Sequence, residues 1–396
     1  MTNSAAMTEA SSGSERLVQP PKPRKNSVLL DERGLLDVPF LVLTVLLVMI
    51  GVIMVFSASY ARSYYENDEN STYYFARQAL FALVGIGIML FVSRLNYQMW
   101  RGLSFAVLAG AIFFLILVPF IGSEEGGAKR WIRLGVLSFQ PSEIAKVAVI
   151  MSFASLMSIY REKMQTFRYG VLPFAVILLV VCGLIALERH FSGVLIILAL
   201  GAVMMFLGGT QLRWFGIGAA IVAAFAAIYL STMGYASARV TAWRDPMSDP
   251  SDTGYQILQS LYAIGSGGLM GLGFGRSRQK YLYLPEEHND YIFPIVCEEL
   301  GFVGALAVIL LFILLIVRGY WIALHARDRF GALLAAGLTT HLALQTFLNI
   351  GVVTNFLPAT GISLPFFSYG GTALLIQLFE MGLILAISRQ NDNKLL

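Results

Sequence analysis

The stretch DVPFLVLTVLLVMIGVIMVFS, residues 37–57, decides the fold class. After Asp37 it carries no charge, and it is long enough to cross the hydrocarbon core of a bilayer, which needs about 20 apolar residues. Similar stretches follow at 74–92, 102–121, 143–160, 170–187, 192–209, 214–232, 291–317, 331–353 and 364–387. The second and fourth are the weakest, because they carry Arg77 and the pair Glu143 and Lys146. The sequence therefore predicts an all-α polytopic membrane protein with ten transmembrane helices.

The composition agrees with this prediction. Apolar residues make up 57% of the 396 residues and charged residues 13%, against roughly 45–50% and about 25% in average globular proteins. A soluble chain of this length could not hide so much apolar surface, which excludes an ordinary cytosolic enzyme and a disordered regulator. Cys182 and Cys297 both lie in apolar runs, so they indicate neither a disulfide framework nor a metal site.

The distribution of cations predicts the orientation. Residues 1–36 are polar and basic and lack the apolar core of a signal peptide, so we expect a disordered cytoplasmic tail before a membrane domain at 37–390. With the N-terminus inside, every cytoplasmic loop contains at least one Lys or Arg, as the positive-inside rule requires. Both termini, including the short tail 391–396, are then cytoplasmic. The net charge of +4 marks the cytoplasmic side and does not indicate a nucleic-acid partner.

Two outer loops, 122–142 and 233–290, are rich in cations where that rule disfavours them. Lys129 and Arg130 stand beside Trp131 in the first loop, and the long loop between spans seven and eight holds Arg239, Arg244 and Arg276. The two loops together predict a site for a phosphorylated headgroup at the outer leaflet. The alternative is that these cations contact anionic lipid or pair with nearby acidic residues.

A glycine-rich stretch, GSGGLMGLGFG at 265–275, lies in the long loop. Close backbone packing or a re-entrant turn is the favoured interpretation, and an approach of the backbone to a phosphate is the alternative. The stretch is not a Walker loop, because no Gly-Lys-Ser/Thr ends it.

Asp290 lies in the segment YLYLPEEHNDYIF, residues 281–293, where the eighth span begins. One interpretation is structural: Asn289 or Asp290 is a good N-cap for a helix that starts at Tyr291. The other is functional: a carboxylate at the membrane boundary, facing two cationic loops, can accept a proton. The two interpretations are compatible.

Several polar residues occur inside predicted spans, where charge is costly and usually functional. Lys146 lies one turn from Glu143, and His341, Gln345 and Asn349 recur every four residues on the ninth span. Interhelical hydrogen bonding is the favoured interpretation of that stripe, with a polar relay as the alternative. Glu298 and Glu380 add further polarity at depth.

The motifs GAKRWI (127–132), QPSE (140–143), DTGYQILQS (252–260), LPEEHNDYIF (284–293), CEELG (297–301) and LPFFSYGGT (364–372) resemble, in combination and order, those of the SEDS family. The resemblance covers residues from about 37 to 390. It implies a ten-span enzyme that polymerises peptidoglycan glycan strands from lipid II at the outer face of the bacterial cell membrane. The family's key carboxylate matches Asp290, its cationic loop matches Lys129 and Arg130, and its fourth-span lysine matches Lys146.

From this resemblance we expect Asp290 to be the base for the acceptor GlcNAc 4-hydroxyl. The expected substrate-binding residues are Lys129, Arg130, Trp131, Lys146, Arg239, Arg244, Arg276, Glu286, His288, Ser368 and Gly370. For the SYGG turn at 368–371, pure packing is the alternative. The sequence identifies no cofactor with certainty. An alternative is that Asp290, with Glu286 or Glu287, binds a divalent cation, Mg2+ or Mn2+.

The expected partners are lipid II, a class B penicillin-binding protein (a transpeptidase), divisome proteins and membrane lipids, with no nucleic acid, and the expected location is the division septum. The polar tail and the ending LFEMGLILAISR (378–389) resemble division or sporulation members more than elongation members. Asn289 and Tyr291 replace the usual Thr and Phe, and Glu188-Arg189-His190 replaces a Pro-Asp pair, so a mechanism that needs a second aspartate is in doubt. A lipid II flippase and a non-catalytic scaffold are the alternative functions.

The orientation can be tested by labelling. A cysteine introduced at 250–255 should react with a membrane-impermeant thiol reagent in intact cells, because that segment is predicted to lie outside. A cysteine at 322–327 should not react, and the wild-type protein supplies the background from Cys182 and Cys297. The reverse pattern would overturn the assignment of sides and the location of the site.

Overall fold

The structure is a computed structural model that describes residues 34–125, 128–134, 137–232, 241–251 and 254–390. Most of the predicted N-terminal tail, the C-terminal tail and Arg239 lie outside these ranges, so the predictions for them stand as predictions.

Helices dominate the described chain. Their bounds are α1 Val38–Glu66, α2 Tyr73–Val92, α3 Gln98–Ile121, α4 Pro141–Ile159, α5 Phe167–Gly170, α6 Leu172–Leu187, α7 Phe191–Gly208, α8 Leu212–Thr232, α9 Tyr255–Ser266, α10 Ile292–Leu324, α11 Arg329–Val353 and α12 Gly371–Arg389. Eight segments are long and apolar enough to cross a membrane, with α5 and α6 counted as one, and α7 and α8 contain shorter apolar helices. Together they match the ten predicted spans.

The helices that carry charge lie in the middle of the bundle. In the apolar segment of α4, 83% of the residues are buried within the protein, against 28% in α2, α3 and α10. Lys146 on α4 is buried and its Nζ lies 2.8 Å from Oε1 of Glu143. The side chains of the fourth span face other helices and not lipid. This position explains why the fourth span is less apolar than the others.

The last helix begins later than predicted. The sequence predicts a span at 364–387, but α12 starts at Gly371, and residues 364–370 form a non-helical turn. Ser368 stabilises this turn: its Oγ accepts a bond of 2.7 Å from the backbone N of Leu364 and donates one of 2.8 Å to the carbonyl of Asn289. The apolar residues 364–367 (LPFF) did not indicate a turn. The backbone groups of this turn form hydrogen bonds with side chains and not with the backbone of a helix.

The first cation-rich loop is a small antiparallel sheet, which corrects the purely helical prediction. Its strands are β1 Ser123–Glu125, β2 Ala128–Leu134 and β3 Leu137–Phe139, in the order β1-β2-β3. Lys129 pairs with Glu124 across β1 and β2. The register of the two strands shifts between Ser123 and Glu124, opposite Arg130, and such an irregularity changes the direction of the side chains on the bulged strand. Lys129 is exposed, whereas Arg130 is partly buried.

The glycine-rich stretch packs backbone against backbone, as its favoured interpretation predicted. Gly273 N donates to the carbonyl of Glu299 at 3.0 Å, and Phe302 N donates to the carbonyl of Gly268 at 2.9 Å. A Cβ at Gly271 would lie 2.2 Å from the carbonyl oxygen of Glu299 on α10. A Cβ at Gly301 would lie 2.2 Å from the backbone N of Gly271. Both residues also have positive φ, of 79° and 68°. Glycine is therefore required at each position for two reasons, the close contact and the backbone conformation.

Candidate active site

A cavity of about 420 Å³ opens at the end of the bundle that carries the sheet and the loop before α10, here called the outer end. It collects residues from β2, α4, α7, α11 and the turn before α12. Six of the predicted site residues line it: Arg130, Trp131, Lys146, Glu286, Asp290 and Gly370. We call it the Asp290 cavity.

Asp290 lies just before α10 and does not cap it. The N-cap residue is Tyr291, whose side chain makes no capping hydrogen bond, so the capping interpretation of Asn289 and Asp290 is wrong. The carboxylate of Asp290 faces the backbone of Gly361: a Cβ there would stand 3.4 Å from Oδ2. Gly361 has φ of +65°, so the bare backbone forms this part of the cavity wall.

Asn349 fixes the position of the Asp290 backbone. Its Nδ2 donates to the carbonyl of Asp290 at 2.7 Å and to that of Ile362 at 2.6 Å. One turn earlier on α11, Gln345 donates to the carbonyl and the hydroxyl of Ser363 at 3.2 and 2.9 Å. Gln345 and Asn349 therefore bond to the non-helical segments of the cavity wall, and not to other helices as predicted for this stripe.

The end of that stripe farther from the outer end is occupied by a hydrogen-bonded pair of side chains. His341 Nδ1 lies 3.0 Å from Oε2 of Glu380 on α12, and both side chains are buried. This contact links α11 to α12 at the depth where a polar pathway would otherwise run.

Cations enter the cavity from two sides. Lys146 comes from α4. Arg130 comes from β2, and its Nη2 donates to the carbonyl of Arg189 at 2.9 Å. Arg189 itself lines the cavity and has φ of 55°, which turns the chain sharply between α6 and α7. This corner is the place where the sequence departs from the family pattern.

The corner also buries two titratable groups. Glu188 is 3% exposed, and neither of its carboxylate oxygens makes a hydrogen bond within the described part of the chain. Burial raises its pKa to about 8. Next to it, burial lowers the pKa of His190 to about 4, so this imidazole is neutral at pH 7 and lines the cavity as an uncharged group.

Three predicted cations do not line this cavity. Lys129 is exposed and pairs with Glu124 across β1 and β2. Arg244 is exposed beside Trp243, whose Nε1 bonds to the carbonyl of Asn355. Arg276 is exposed and its N bonds to the carbonyl of Gly273, so it stays with the glycine-rich stretch. Their binding roles remain predictions without support from this geometry.

His288 and Ser368 lie behind the wall. The ring of His288 is 4.8 Å from that of Tyr74 and 5.7 Å from that of Tyr369, between centroids. Burial lowers the pKa of His288 to about 3, so it is an uncharged packing residue at pH 7. Ser368 ties the turn before α12 to Asn289, as described above. Both residues shape the cavity without lining it.

The carboxylates near Asp290 have other partners. Glu287 is buried and accepts two bonds of 2.9 Å from Arg62, and Glu286 accepts a bond from Asn289. Across the described ranges, no group of three or more His, Cys, Asp or Glu side chains could hold a metal ion.

Sequence reasoning missed part of the lining. Arg189 and His190 stood out only as a departure from a motif, and Thr360 and Gly361 carried no signal. Asn349 was found as a stripe residue, but its contact with Asp290 was not. These residues meet only in three dimensions, where α7, α11 and the loop before α12 converge.

Comparison with known proteins gives a consistent result. The family model described as a cell cycle protein, FtsW/RodA/SpoVE, matches residues 38–393. A probable peptidoglycan glycosyltransferase FtsW from Geobacter sulfurreducens is 40% identical over 357 residues, which cover 89% of this chain and 95% of the relative. The stage V sporulation protein E of Bacillus subtilis is 39% identical over 361 residues, 89% of this chain and 97% of the relative.

Solved structures share the fold. A chain from a peptidoglycan synthase complex, studied for its coordination of polymerization and crosslinking, superposes with a TM-score of 0.75 at 27% identity, covering 90% of this chain and 99% of that one. The rod shape determining protein RodA of Thermus thermophilus gives a TM-score of 0.67 at 26% identity, covering 91% and 98%.

The buried Glu188 gives a testable pH dependence. A carboxyl whose pKa rises on folding, here from 4.5 to about 8, binds its proton more tightly in the folded state. The free energy of unfolding therefore falls as pH rises through that interval and stays low above it. Glu188→Gln should remove this penalty and raise stability above pH 8 by on the order of 1–3 kcal/mol, less than the full shift because the amide also lacks partners.

The measurement is the melting temperature of purified protein in detergent from pH 5 to pH 9. The difference between Glu188→Gln and wild type should be near zero at pH 5 and positive at pH 9. Glu162→Gln, at an exposed carboxylate, is the matched control. A difference that does not change with pH would contradict the interpretation.

Proposed function

We propose a function on the premise that this chain belongs to the FtsW, RodA and SpoVE family of cell cycle proteins. The chain is a multi-pass membrane protein and a peptidoglycan glycosyltransferase, which builds glycan strands. The activity is supported by the relatives of that name, of which one is 40% identical over 89% of this chain.

The proposed substrate is lipid II, an undecaprenyl-diphosphate disaccharide-pentapeptide, used at the outer face of the cell membrane. One observation carries this proposal: a single cavity at the outer end contains a carboxylate, Asp290, together with the cations Arg130 and Lys146. The reaction needs both, because a hydroxyl must lose a proton while a diphosphate gains charge.

Asp290 acts as the base. It accepts the proton of the acceptor GlcNAc 4-hydroxyl as that oxygen attacks C1 of the donor MurNAc. The backbone bond from Asn349 and the contact with Gly361 hold the carboxylate in place, so little reorganisation is needed when the hydroxyl arrives.

Arg130, Lys146 and Arg189 stabilise the leaving diphosphate. The C1–O bond breaks with its electron pair on the diphosphate oxygen, and positive charge fixed nearby lowers the energy of that state. Lys146 is 3% exposed and pairs with Glu143, which lines the same cavity. Its charge is therefore partly offset by that carboxylate, but it acts where little water screens it. The lipid tail lies in grooves between the helices.

The rival function is a lipid II flippase, which would need a polar path through the bundle. The polar residues at depth have local partners instead. Glu298 accepts bonds from Ser277 Oγ and Arg278 N, and His341 pairs with Glu380. These contacts favour structural roles for the deep polar groups, and they favour the polymerase.

The proposed partners are a class B penicillin-binding protein, divisome proteins and membrane lipids. A structural relative comes from a complex that couples polymerization and crosslinking, which supports a transpeptidase partner. Action at the division septum is supported by the FtsW name of several relatives. A sporulation protein is nearly as similar, at 39% identity, so a sporulation role is the alternative.

Asp290→Asn tests the base. The amide keeps the size of the side chain but cannot accept the proton, so polymerisation of labelled lipid II by purified protein with its partner should fall by on the order of 10²–10⁴-fold. Lipid II binding and the melting temperature should change little.

The control is Asp245→Asn, which removes one carboxylate from an exposed position in the segment 241–251. It should keep full activity. An Asp290→Asn protein that still makes long glycan strands would eliminate the catalytic role of Asp290 and revive the flippase or scaffold interpretation.

Arg130 and Lys129 form a matched pair for testing the diphosphate contact. They are neighbours on β2, but only Arg130 lines the cavity. A charge-assisted hydrogen bond contributes roughly 1.5–3 kcal/mol, so Arg130→Ala should raise the KM for lipid II by about 10- to 100-fold. Lys129→Ala should raise it by much less. Equal effects of the two substitutions on the KM in steady-state kinetics would show that the place of Arg130 in the cavity wall does not make it a binding residue.

A further inference from the structure

A second cavity, of about 440 Å³, adjoins the Asp290 cavity and has no role in the mechanism above. The two cavities share Trp131, Asn289, Tyr369 and Gly370, so these residues form a common wall. Asp290 lines only the first cavity. We call the second one the Arg133 cavity, after the arginine that β2 contributes to it.

The lining of the Arg133 cavity suits a sugar joined to an anion. Two guanidinium groups line it, Arg133 from β2 and Arg77 from the first turns of α2. Aromatic side chains, Tyr73, Tyr74 and Trp131, provide surfaces on which a sugar ring packs. Arg77 is already oriented, because its Nη1 donates to the hydroxyl of Tyr73 at 2.6 Å.

In the described lining, one carboxylate, Glu66, stands against the two guanidinium groups, and it shares Arg62 with Glu287. Glu66 accepts a hydrogen bond of 2.6 Å from the hydroxyl of Tyr74, and it lies 3.3 Å from Nη1 of Arg62. The cavity therefore presents net positive charge, from Arg77 and Arg133, toward whatever enters.

The proposed reaction requires two diphosphates at different places. The donor diphosphate is attached to the carbon that reacts, so it must lie beside Asp290. The acceptor diphosphate is attached to MurNAc at the far end of the disaccharide, two pyranose rings from the GlcNAc 4-hydroxyl that reacts. A single cationic cavity around Asp290 cannot serve both.

We propose that the Arg133 cavity binds the diphosphate and MurNAc of the acceptor lipid II, whose GlcNAc crosses the common wall to reach Asp290. This inference rests on the proposed function. Gly370 marks the crossing: it has no side chain, and a Cβ there would touch only Ala373, at 3.6 Å. The common wall therefore has no side chain at Gly370, where the acceptor disaccharide passes.

The bonds balance without any further reactant. The acceptor O–H bond breaks and its proton passes to Asp290, the acceptor oxygen bonds to C1 of the donor, and the donor C1–O bond breaks with its electron pair on the leaving diphosphate. The acceptor diphosphate is unchanged, so the lengthened strand stays anchored in the Arg133 cavity. It must then move across the wall to become the next donor, which leaves the Arg133 cavity free for a new lipid II.

The test separates the two substrates. A labelled lipid-linked oligosaccharide whose terminal GlcNAc 4-hydroxyl is blocked can act only as donor, and unlabelled lipid II then serves as acceptor. Transfer of the label is measured with full-length protein and its partner while each substrate is varied in turn. Arg133→Ala and Arg77→Ala should raise the KM for the acceptor by about tenfold or more and leave the KM for the donor within twofold. Arg130→Ala should do the opposite.

The controls distinguish the possible failures. Arg133 is exposed on a strand opposite Ser138, so its removal leaves the core intact, and Arg133→Lys should restore part of the acceptor affinity. Arg278→Ala removes an exposed arginine that lines neither cavity, and it should change neither KM. If Asp290→Asn abolishes transfer but the Arg77 and Arg133 variants change the donor KM, or neither KM, the inference is wrong and the proposed function stands. If Asp290→Asn transfers label normally, the proposed function fails first.

Discussion

Two hydrogen bonds from Asn349 join the parts of the molecule that form the cavity. One holds the backbone of Asp290, just before α10, and the other holds Ile362 in the loop before α12. Asn349 is 1% exposed, so neither carbonyl could turn to water if the amide were lost. An unpaired buried carbonyl costs about 1–3 kcal/mol, and this cost keeps both segments in place. The position of the candidate base thus depends on a residue of a different helix.

The same constraint organises the rest of the bundle. A charge in a membrane interior is costly unless it is paired. Three pairs of buried ionisable side chains meet in the bundle: Lys146 with Glu143, Lys280 with Glu299, and His341 with Glu380. Lys280 and Glu299 also meet Ser57 of α1. Two of these pairs join segments that are distant in sequence, and the pair of Lys146 and Glu143 lies on one buried face of α4. Polar pairing, and not apolar packing alone, therefore determines which helices lie at the centre.

The sequence predicts the spans well and the site only in part. An apolar run of about 20 residues is a local property, so the ten spans could be found from letters alone, and the glycine-rich stretch was also interpreted correctly. The start of α12 could not be found, because LPFFSYG is as apolar as a helix. Lys129 and Arg130 look equivalent in sequence, but only Arg130 lines the cavity, at a register shift between β1 and β2 that no local pattern marks. Arg189 and Gly361 reach the cavity through left-handed turns that no local pattern marks.

The departure at Glu188-Arg189-His190 bears on how many carboxylates the chemistry needs. In this segment Arg189 lines the cavity, and its carbonyl accepts a hydrogen bond from Arg130. A second carboxylate would be required if the leaving group had to be protonated. A diphosphate departs as a stable anion, so it needs positive charge and not a proton. In the proposed mechanism, one base, Asp290, and a cationic wall therefore suffice, and Arg189 at this corner is part of that wall.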